Sequence, residues 1–325
     1  MKDTLNVGVI GAGRIGKVHT ETLTYRIPAA RVLAIADVNL AAAQHLADVY
    51  SIPKATADYR DVLNDPTIKA VLICSGTDTH ARFTEEAARA GKHIFCEKPI
   101  AHSLAEIDQA LAAVAEAGVK LQVGFNRRFD ANFRRVRDAV ARGEIGQPAL
   151  LHIISRDPAP PPIDYVKVSG GMFLDMTIHD FDMARFLVGD DVEEVYTQAG
   201  VTVDPAIGEA GDVDTAVIVL KFANGVIGTI DNCRRASYGY DQRVEMLGSK
   251  GAICTMNNYP NAAVISDGST VRRDLPLNFF MDRYTESFAH EMAAFVDAVL
   301  HDEPVAVSGT DGRVPVVMGL AAAKS

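Results

Sequence analysis

Short apolar, β-branched runs alternate with longer stretches of helical spacing through residues 1–124. Leu5 to Ile10, Val32 to Ala36, Ala70 to Cys74, His93 to Cys96 and Lys120 to Gly124 read as strands. Gly16 to Leu23, Asn39 to Tyr50, Thr79 to Ala90 and Leu104 to Ala117 read as the helices between them. Strands joined through helices return to the sheet in the same direction, so this order predicts an α/β fold with a doubly wound parallel sheet. From about residue 148 the pattern changes. PALLHIISRD reads as a strand, PAPPP breaks the chain, and two long runs flank Asn224-Gly225, a two-residue hairpin signal. A further strand pattern continues through Gln242 to Leu247. In the first hairpin strand Val217 and Val219 share one face, and Ile218, Leu220 and Phe222 the other. Both faces are apolar and both call for a cover. Helices can cover one face and a second copy of the chain the other, which predicts a homo-oligomer; a monomeric mass in solution would contradict it. FAHEMAAFVDAVL near the end has clear helical spacing.

The segment Phe173 to Asp182, FLDMTIHDFD, sets Asp175, His179 and Asp182 among large apolar side chains. On one continuous helix these three would share a stripe ~60° wide. A chelating spacing, a satisfied buried histidine and an exposed polar edge all fit such a stripe.

Composition narrows the classes. A chain of 325 residues, 48% of them apolar, can bury a substantial core and is long enough for two domains. Lys+Arg 32 against Asp+Glu 42 leaves a net charge of -10, which argues against partners such as nucleic acid or an anionic membrane. No apolar run approaches ~18 residues, and glycines interrupt the start LNVGVIGAG without a cleavage-site pattern, so a cytoplasmic protein is expected. Cys74, Cys96, Cys233 and Cys254 form no CxxC pair and read as reduced thiols rather than a disulfide framework or a zinc site. The closing GLAAAKS opens a helix-like run that stops at Ser325, so a natural end further on is expected.

Candidate chemistry begins at Gly11-Ala12-Gly13-Arg14-Ile15-Gly16, directly after the first strand and before a helical pattern. Gly11 permits a tight turn, Gly13 lets the backbone approach a pyrophosphate, and Gly16 permits close helix packing. The following helix start offers free N–H groups and the positive end of its dipole. Asp37 ends the second strand, where a carboxylate accepts hydrogen bonds from the adenosine ribose. Val38 and Asn39 bring no positive charge for a 2′-phosphate, so NAD is expected over NADP. Ser75, Gly76, Thr77, Asp78, Thr79 and His80 follow the third strand at the edge where open α/β sheets bind ligands. Thr77, Asp78 or Thr79 also suits simple helix capping. Glu97-Lys98-Pro99 ends another strand. Proline restricts its predecessor and can be cis, so Lys98 is either a pinned lysine projecting over the cofactor or a solvated turn lysine.

Taken together, GAGRIG at 11–16, Asp37, CSGTDTH at 74–80, EKP at 97–99, GFNRRFD at 124–130 and SGGMFLDMTIHDFDMARFL at 169–187 resemble the glucose-fructose oxidoreductase and inositol dehydrogenase family over essentially the whole chain. EKP is fairly specific to that family, and MTIHDFD points to its inositol branch. The resemblance implies a Rossmann domain at 1–124, then an α+β domain at 125–325 with a large open, mainly antiparallel sheet through which subunits form a homotetramer. It implies NAD as cofactor, held by Gly11, Ala12, Gly13, Arg14, Ile15, Asp37, Ser75, Thr77, His80, Glu97 and Lys98. It carries catalytic roles to Lys98, Asp175 and His179, and substrate contacts to Arg127, Asp157, Thr177, Asp182 and Tyr238. The implied reaction is NAD-dependent oxidation of a ring hydroxyl, with myo-inositol giving 2-keto-myo-inositol as the leading expectation. Another cyclitol or a pyranose sugar is the alternative.

Oxidising a secondary alcohol needs a proton acceptor on oxygen and a hydride acceptor at carbon. His179 suits the first role, with Asp175 orienting its ring. Lys98 suits stabilisation of the developing alkoxide. Two readings of other classes remain open on sequence. A ligand-sensing regulator would be expected to lose the lysine, aspartate or histidine, all of which are present. A metal enzyme would use Asp175, His179 and Asp182 as ligands, although alcohol oxidation by a nicotinamide requires no metal.

Overall fold

The computed structural model describes residues 4–325. The chain forms two compact units. One comprises residues up to Asn126 with Glu286–Val316, and the other Arg127–Thr285 with Val317–Ser325. The first crossing, after Asn126, falls close to the expected division at residues 124 and 125, and Glu286–Val316 returns to the first unit. The reason is packing. The helix Thr285–Leu300 places Met292, Phe295 and Val296 in one buried cluster with Val7, Val9, Leu72 and Phe95. Helical spacing in FAHEMAAFVDAVL announces an apolar face without saying which sheet it covers.

In the first unit, strands β1 (Leu5–Ile10), β2 (Ala30–Ala36), β3 (Lys54–Thr56), β4 (Ala70–Ile73), β5 (His93–Cys96) and β6 (Leu121–Val123) pair in the order β3-β2-β1-β4-β5-β6. All pairs are parallel. The central strands are buried along nearly their whole length, which is why they read as continuous apolar runs rather than alternating ones. The three residues of β3 carry no such run, and the sequence pattern passes over them. Because all strands run the same way, the ends of β1, β2, β4 and β5 bring the glycine loop, Asp37, the Ser75 loop and the Glu97 turn to one edge.

In the second unit, β7 (Pro148–Arg156), β8 (Val192–Gly200), β9 (Thr215–Phe222), β10 (Ile227–Cys233), β11 (Asp241–Gly248) and β12 (Gly251–Thr255) form a sheet in the order β12-β11-β7-β10-β9-β8. Only β7 and β10 pair in parallel. The Asn224-Gly225 turn joins β9 to β10 as expected, with Gly225 at φ 87. Alternation then sorts the side chains. Ile218, Leu220 and Phe222 are buried, and helix Ile178–Val188 lies on that face of β7. Leu150, Val217, Val219, Ile227 and Leu247 remain exposed on the opposite face.

Candidate active site

The nucleotide edge of the first unit is shaped by its glycines. Gly11 sits at φ 109, and a β-carbon there would overlap the backbone of Cys74 and Ser75. One at Gly16 would overlap the Gly11 carbonyl, whereas one at Gly13 would meet no heavy atom within 4 Å. Two glycines thus close the loop against β4, and the third leaves the approach to the backbone open. Helix Arg14–Arg26 starts at Gly13 without a side-chain cap, so its first N–H groups and dipole end suit a pyrophosphate. Arg14 is exposed and Ile15 partly buried beside this start. Asp37 accepts a 2.7 Å bond from the Ala12 N–H and a 2.8 Å bond from the Asn39 N–H. Its carboxylate thereby links the end of β2 to the loop and retains lone pairs for hydroxyl donors. These residues fit a dinucleotide.

Ser75 and Thr77 are half-buried at the start of helix Thr77–Arg89, and the Ser75 hydroxyl lies 2.7 Å from that of Thr79. His80 and Glu97, by contrast, point inward. The His80 ring is buried between the carbonyls of Pro99, 2.8 Å from Nδ1, and Ser75, 3.0 Å from Nε2. Glu97 lies 2.6 Å from the buried His19 ring and accepts a 3.3 Å bond from the Lys98 N–H. Lys98 is half-buried and the Lys98-Pro99 bond is cis.

In the second unit, the single helix expected over FLDMTIHDFD is instead two, Gly171–Asp175 and Ile178–Val188. The Thr177 N–H reaches back five residues to the Met172 carbonyl at 2.9 Å, and the His179 N–H only three, to Met176, at 3.3 Å. This wide turn changes the phase between Asp175 and His179, so the single stripe of three polar residues is not realised. Asp175 and His179 are half-buried while Asp182 is fully buried. Asp182 is gripped by Arg128, at 3.0 and 2.9 Å from Nε and 2.6 Å from Nη2. That engagement ties the turn Asn126–Phe129 to the helix.

Arg127 makes the parallel connection. Its guanidinium is 2.6 Å from Asp180 and 3.3 Å from the Tyr240 hydroxyl. Asp180 also accepts a 2.9 Å bond from Asn232, whose amide oxygen accepts a 2.6 Å bond from the Thr177 hydroxyl. Burial pushes the Asp180 carboxyl above its usual range, with Arg127 and Asn232 pulling it back. Tyr238 is placed elsewhere: its hydroxyl donates to Asp241 at 2.5 Å and accepts from Arg156 at 3.1 Å. In register, Arg156 and Asp241 pair across β7 and β11 one residue away from Ser155 and Asn232, on the opposite sheet face, where Asp241 is fully buried and Arg156 half-buried.

Around Asp175 the structure adds two residues that sequence reasoning missed. The Tyr165 hydroxyl donates to one Asp175 oxygen at 2.8 Å, and Arg234 reaches the other at 3.3 Å. Arg234, itself 2% exposed, also lies 3.8 Å from Asp157. No spacing rule flags a buried arginine in a loop. Asn232 was more accessible to reasoning, because the alternation of β10 puts this polar residue on the covered face with Ile230. Among the described residues, no group of three or more His, Cys, Asp or Glu side chains is arranged to hold a metal ion.

Burial raises the Asp157 carboxyl from 3.8 to about 6, with Arg234 lowering it and Asp175 raising it. Between those two values the folded chain holds a proton that the unfolded chain has released. Stability from this group is therefore present below about pH 4 and lost as pH rises through about 6. An Asp157→Asn variant should accordingly gain thermal stability over the parent between about pH 4.5 and 7.5. A Tm difference constant across that range would contradict the assignment.

The strand order, the glycine loop and the acidic end of β2 define a dinucleotide-binding protein of the Rossmann class, joined to a second, sheet-based unit. Residues 5–125 match the oxidoreductase family with an NAD-binding Rossmann fold, and residues 133–254 match the GFO/IDH/MocA C-terminal domain. The chain belongs to this oxidoreductase family. It is 49% identical over 321 residues to the myo-inositol 2-dehydrogenase of Thermotoga maritima, covering 99% of this chain and 96% of that one. It is 46% identical over 322 residues to the inositol 2-dehydrogenase of Rhizobium meliloti, covering 99% and 97%. A crystal structure of scyllo-inositol dehydrogenase from Lactobacillus casei with bound NAD(H) and scyllo-inositol matches with TM-score 0.92 at 28% identity, covering 99% and 96%. Among the described residues, no helix is long and apolar enough to cross a membrane.

Proposed function

We propose that the protein oxidises myo-inositol to 2-keto-myo-inositol with NAD, a reading supported by its match across nearly its full length to the Thermotoga myo-inositol 2-dehydrogenase. Gly11, Ala12, Gly13, Arg14, Ile15 and Asp37 hold the dinucleotide, with Ser75 and Thr77 beside it. Bound there, NAD supplies the hydride acceptor. His179 takes the hydroxyl proton, and Asp175 orients its ring. The Lys98 ammonium donates to the alkoxide as charge develops on it. The single observation that carries this reading is the acid-base cluster of the second unit. Asp175 is held by Tyr165 and Arg234 one turn before His179, in surroundings dense with donors and acceptors and suited to a polyol. Asp157 and Arg127 are candidates for contacts to ring hydroxyls. Thr177 and Asp182 support the cluster through Asn232 and Arg128. A polyol lacking one hydroxyl would leave a buried partner unpaired and be rejected.

A second reading within the same chemistry is scyllo-inositol, favoured by the match to the Lactobacillus casei enzyme bound to it. Formation of NADH from NAD with myo-inositol, compared with scyllo-inositol, chiro-inositol, pyranoses and NADP, separates these possibilities. No NADH with any cyclitol would overturn the proposal. The exposed apolar row Leu150, Val217, Val219, Ile227 and Leu247 supports a homotetramer built on that sheet face, and four free thiols suit the cytoplasm. Sedimentation as a monomer would contradict the assembly.

A further inference from the structure

The turn that carries Lys98 is fixed on both sides by buried histidines. On the side of Glu97, His19 Nε2 lies 2.6 Å from one carboxylate oxygen, and the other oxygen accepts the Lys98 N–H at 3.3 Å. His19 is fully buried in helix Arg14–Arg26, immediately after the glycine loop. Its ring is wedged edge-on between Phe95 and Phe288, at centroid distances of 5.0 and 5.6 Å. A β-carbon at Gly124 would stand 3.0 Å from Glu97, so that glycine leaves the carboxylate its room. On the side of Pro99, His80 Nδ1 lies 2.8 Å from the Pro99 carbonyl and Nε2 3.0 Å from the Ser75 carbonyl. The ring thereby spans from the turn to the loop after β4.

We propose that His19 and His80 are positioning residues for the Lys98 ammonium. His19 braces the Glu97-Lys98-Pro99 turn against helix Arg14–Arg26, and His80 braces it against the Ser75 loop. The proposal rests on the role given to Lys98 above. A lysine head sits on a flexible four-carbon stem, so its root must be fixed if the charge is to meet a developing alkoxide. Two braces anchored in the helices that follow the nucleotide loops, Arg14–Arg26 and Thr77–Arg89, fix that root. Neither histidine contacts substrate in this scheme, and both act through Lys98.

A double-mutant cycle tests it. His19→Leu, His80→Leu and the conservative His19→Gln and His80→Gln are made in the parent and in Lys98→Ala, with kcat, KM, NAD affinity and Tm measured for each. In the parent background the leucine variants should lose about ten- to a hundredfold in kcat, the scale of a small misplacement, with KM and NAD affinity within about threefold. His19→Gln should recover most of the loss because its amide still donates to Glu97, while His80→Gln reaches only one carbonyl and recovers less. In the Lys98→Ala background the same substitutions should cost less than about twofold more. Equal losses in both backgrounds would mean that the histidines serve general structure and overturn the proposal, as would parent-like kcat in the leucine variants. If a leucine variant does not fold, the glutamine pair carries the same comparison. A Lys98→Ala enzyme as active as the parent would overturn the role of Lys98, and the brace with it. A fully active histidine variant beside an inactive Lys98→Ala enzyme overturns the brace alone.

Discussion

Replacing His179 with alanine is expected to lower kcat by about a thousandfold, within the range of a positioned general base, while NAD affinity stays within about twofold. Lys98→Ala should lose about a hundred- to a thousandfold, the scale of one preorganised donor to a developing oxyanion. The two substitutions attack different parts of one step. In the proposed step His179 accepts the hydroxyl proton and Lys98 compensates the charge on the alkoxide. His179 is part of neither the glycine loop, Asp37 nor the Lys98 turn, which is why cofactor affinity should survive its removal. Steady-state kinetics with calorimetric NAD titration distinguishes the outcomes. Full activity in either variant removes that residue from the mechanism, and loss of NAD binding together with activity would point to a folding defect instead.

The second large effect falls on stability. Arg127 is 5% exposed and Asp180 is fully buried. Removing one partner strands the other charge, so Asp180→Ala should cost about 3–5 kcal/mol. In a unit of this size that corresponds to a fall in Tm on the order of 10 °C by scanning calorimetry. The Arg127→Met/Asp180→Leu double variant should recover much of the loss, because it removes both charges and refills the volume with apolar atoms. A Tm within about 2 °C of the parent for Asp180→Ala would show that the pair is better hydrated than its burial indicates.

The nucleotide half of the molecule was nearly transparent in sequence for a physical reason. Parallel strands buried on both faces must be apolar throughout, and a loop closed against β4 must be glycine at residues 11 and 16, so both requirements are written locally. The hairpin at Asn224-Gly225 is local too. The candidate residues of the second unit were only partly legible. GFNRRFD and TIHDFD were each conspicuous, yet the pairing of Arg127 with Asp180 and Arg128 with Asp182 depends on two segments meeting in space. The ideal-helix stripe singled out Asp182 and passed over Asp180, because one wide turn at Thr177 is enough to change the phase. Arg234 and Tyr165 reach Asp175 from other segments, and His19 reaches Glu97 across 78 residues of chain. Such contacts leave no periodicity to read. The return of Glu286–Val316 to the first unit was hidden likewise, since an apolar helical face does not name its sheet.

The central claim is hydride transfer from C2 of myo-inositol to the nicotinamide. The most direct test supplies myo-inositol deuterated at C2 with NAD and reads both products by mass spectrometry. NADH carrying the deuterium, formed together with an unlabelled ring ketone at C2, is the predicted result. Unlabelled NADH, or a ring product that keeps its deuterium, would contradict it.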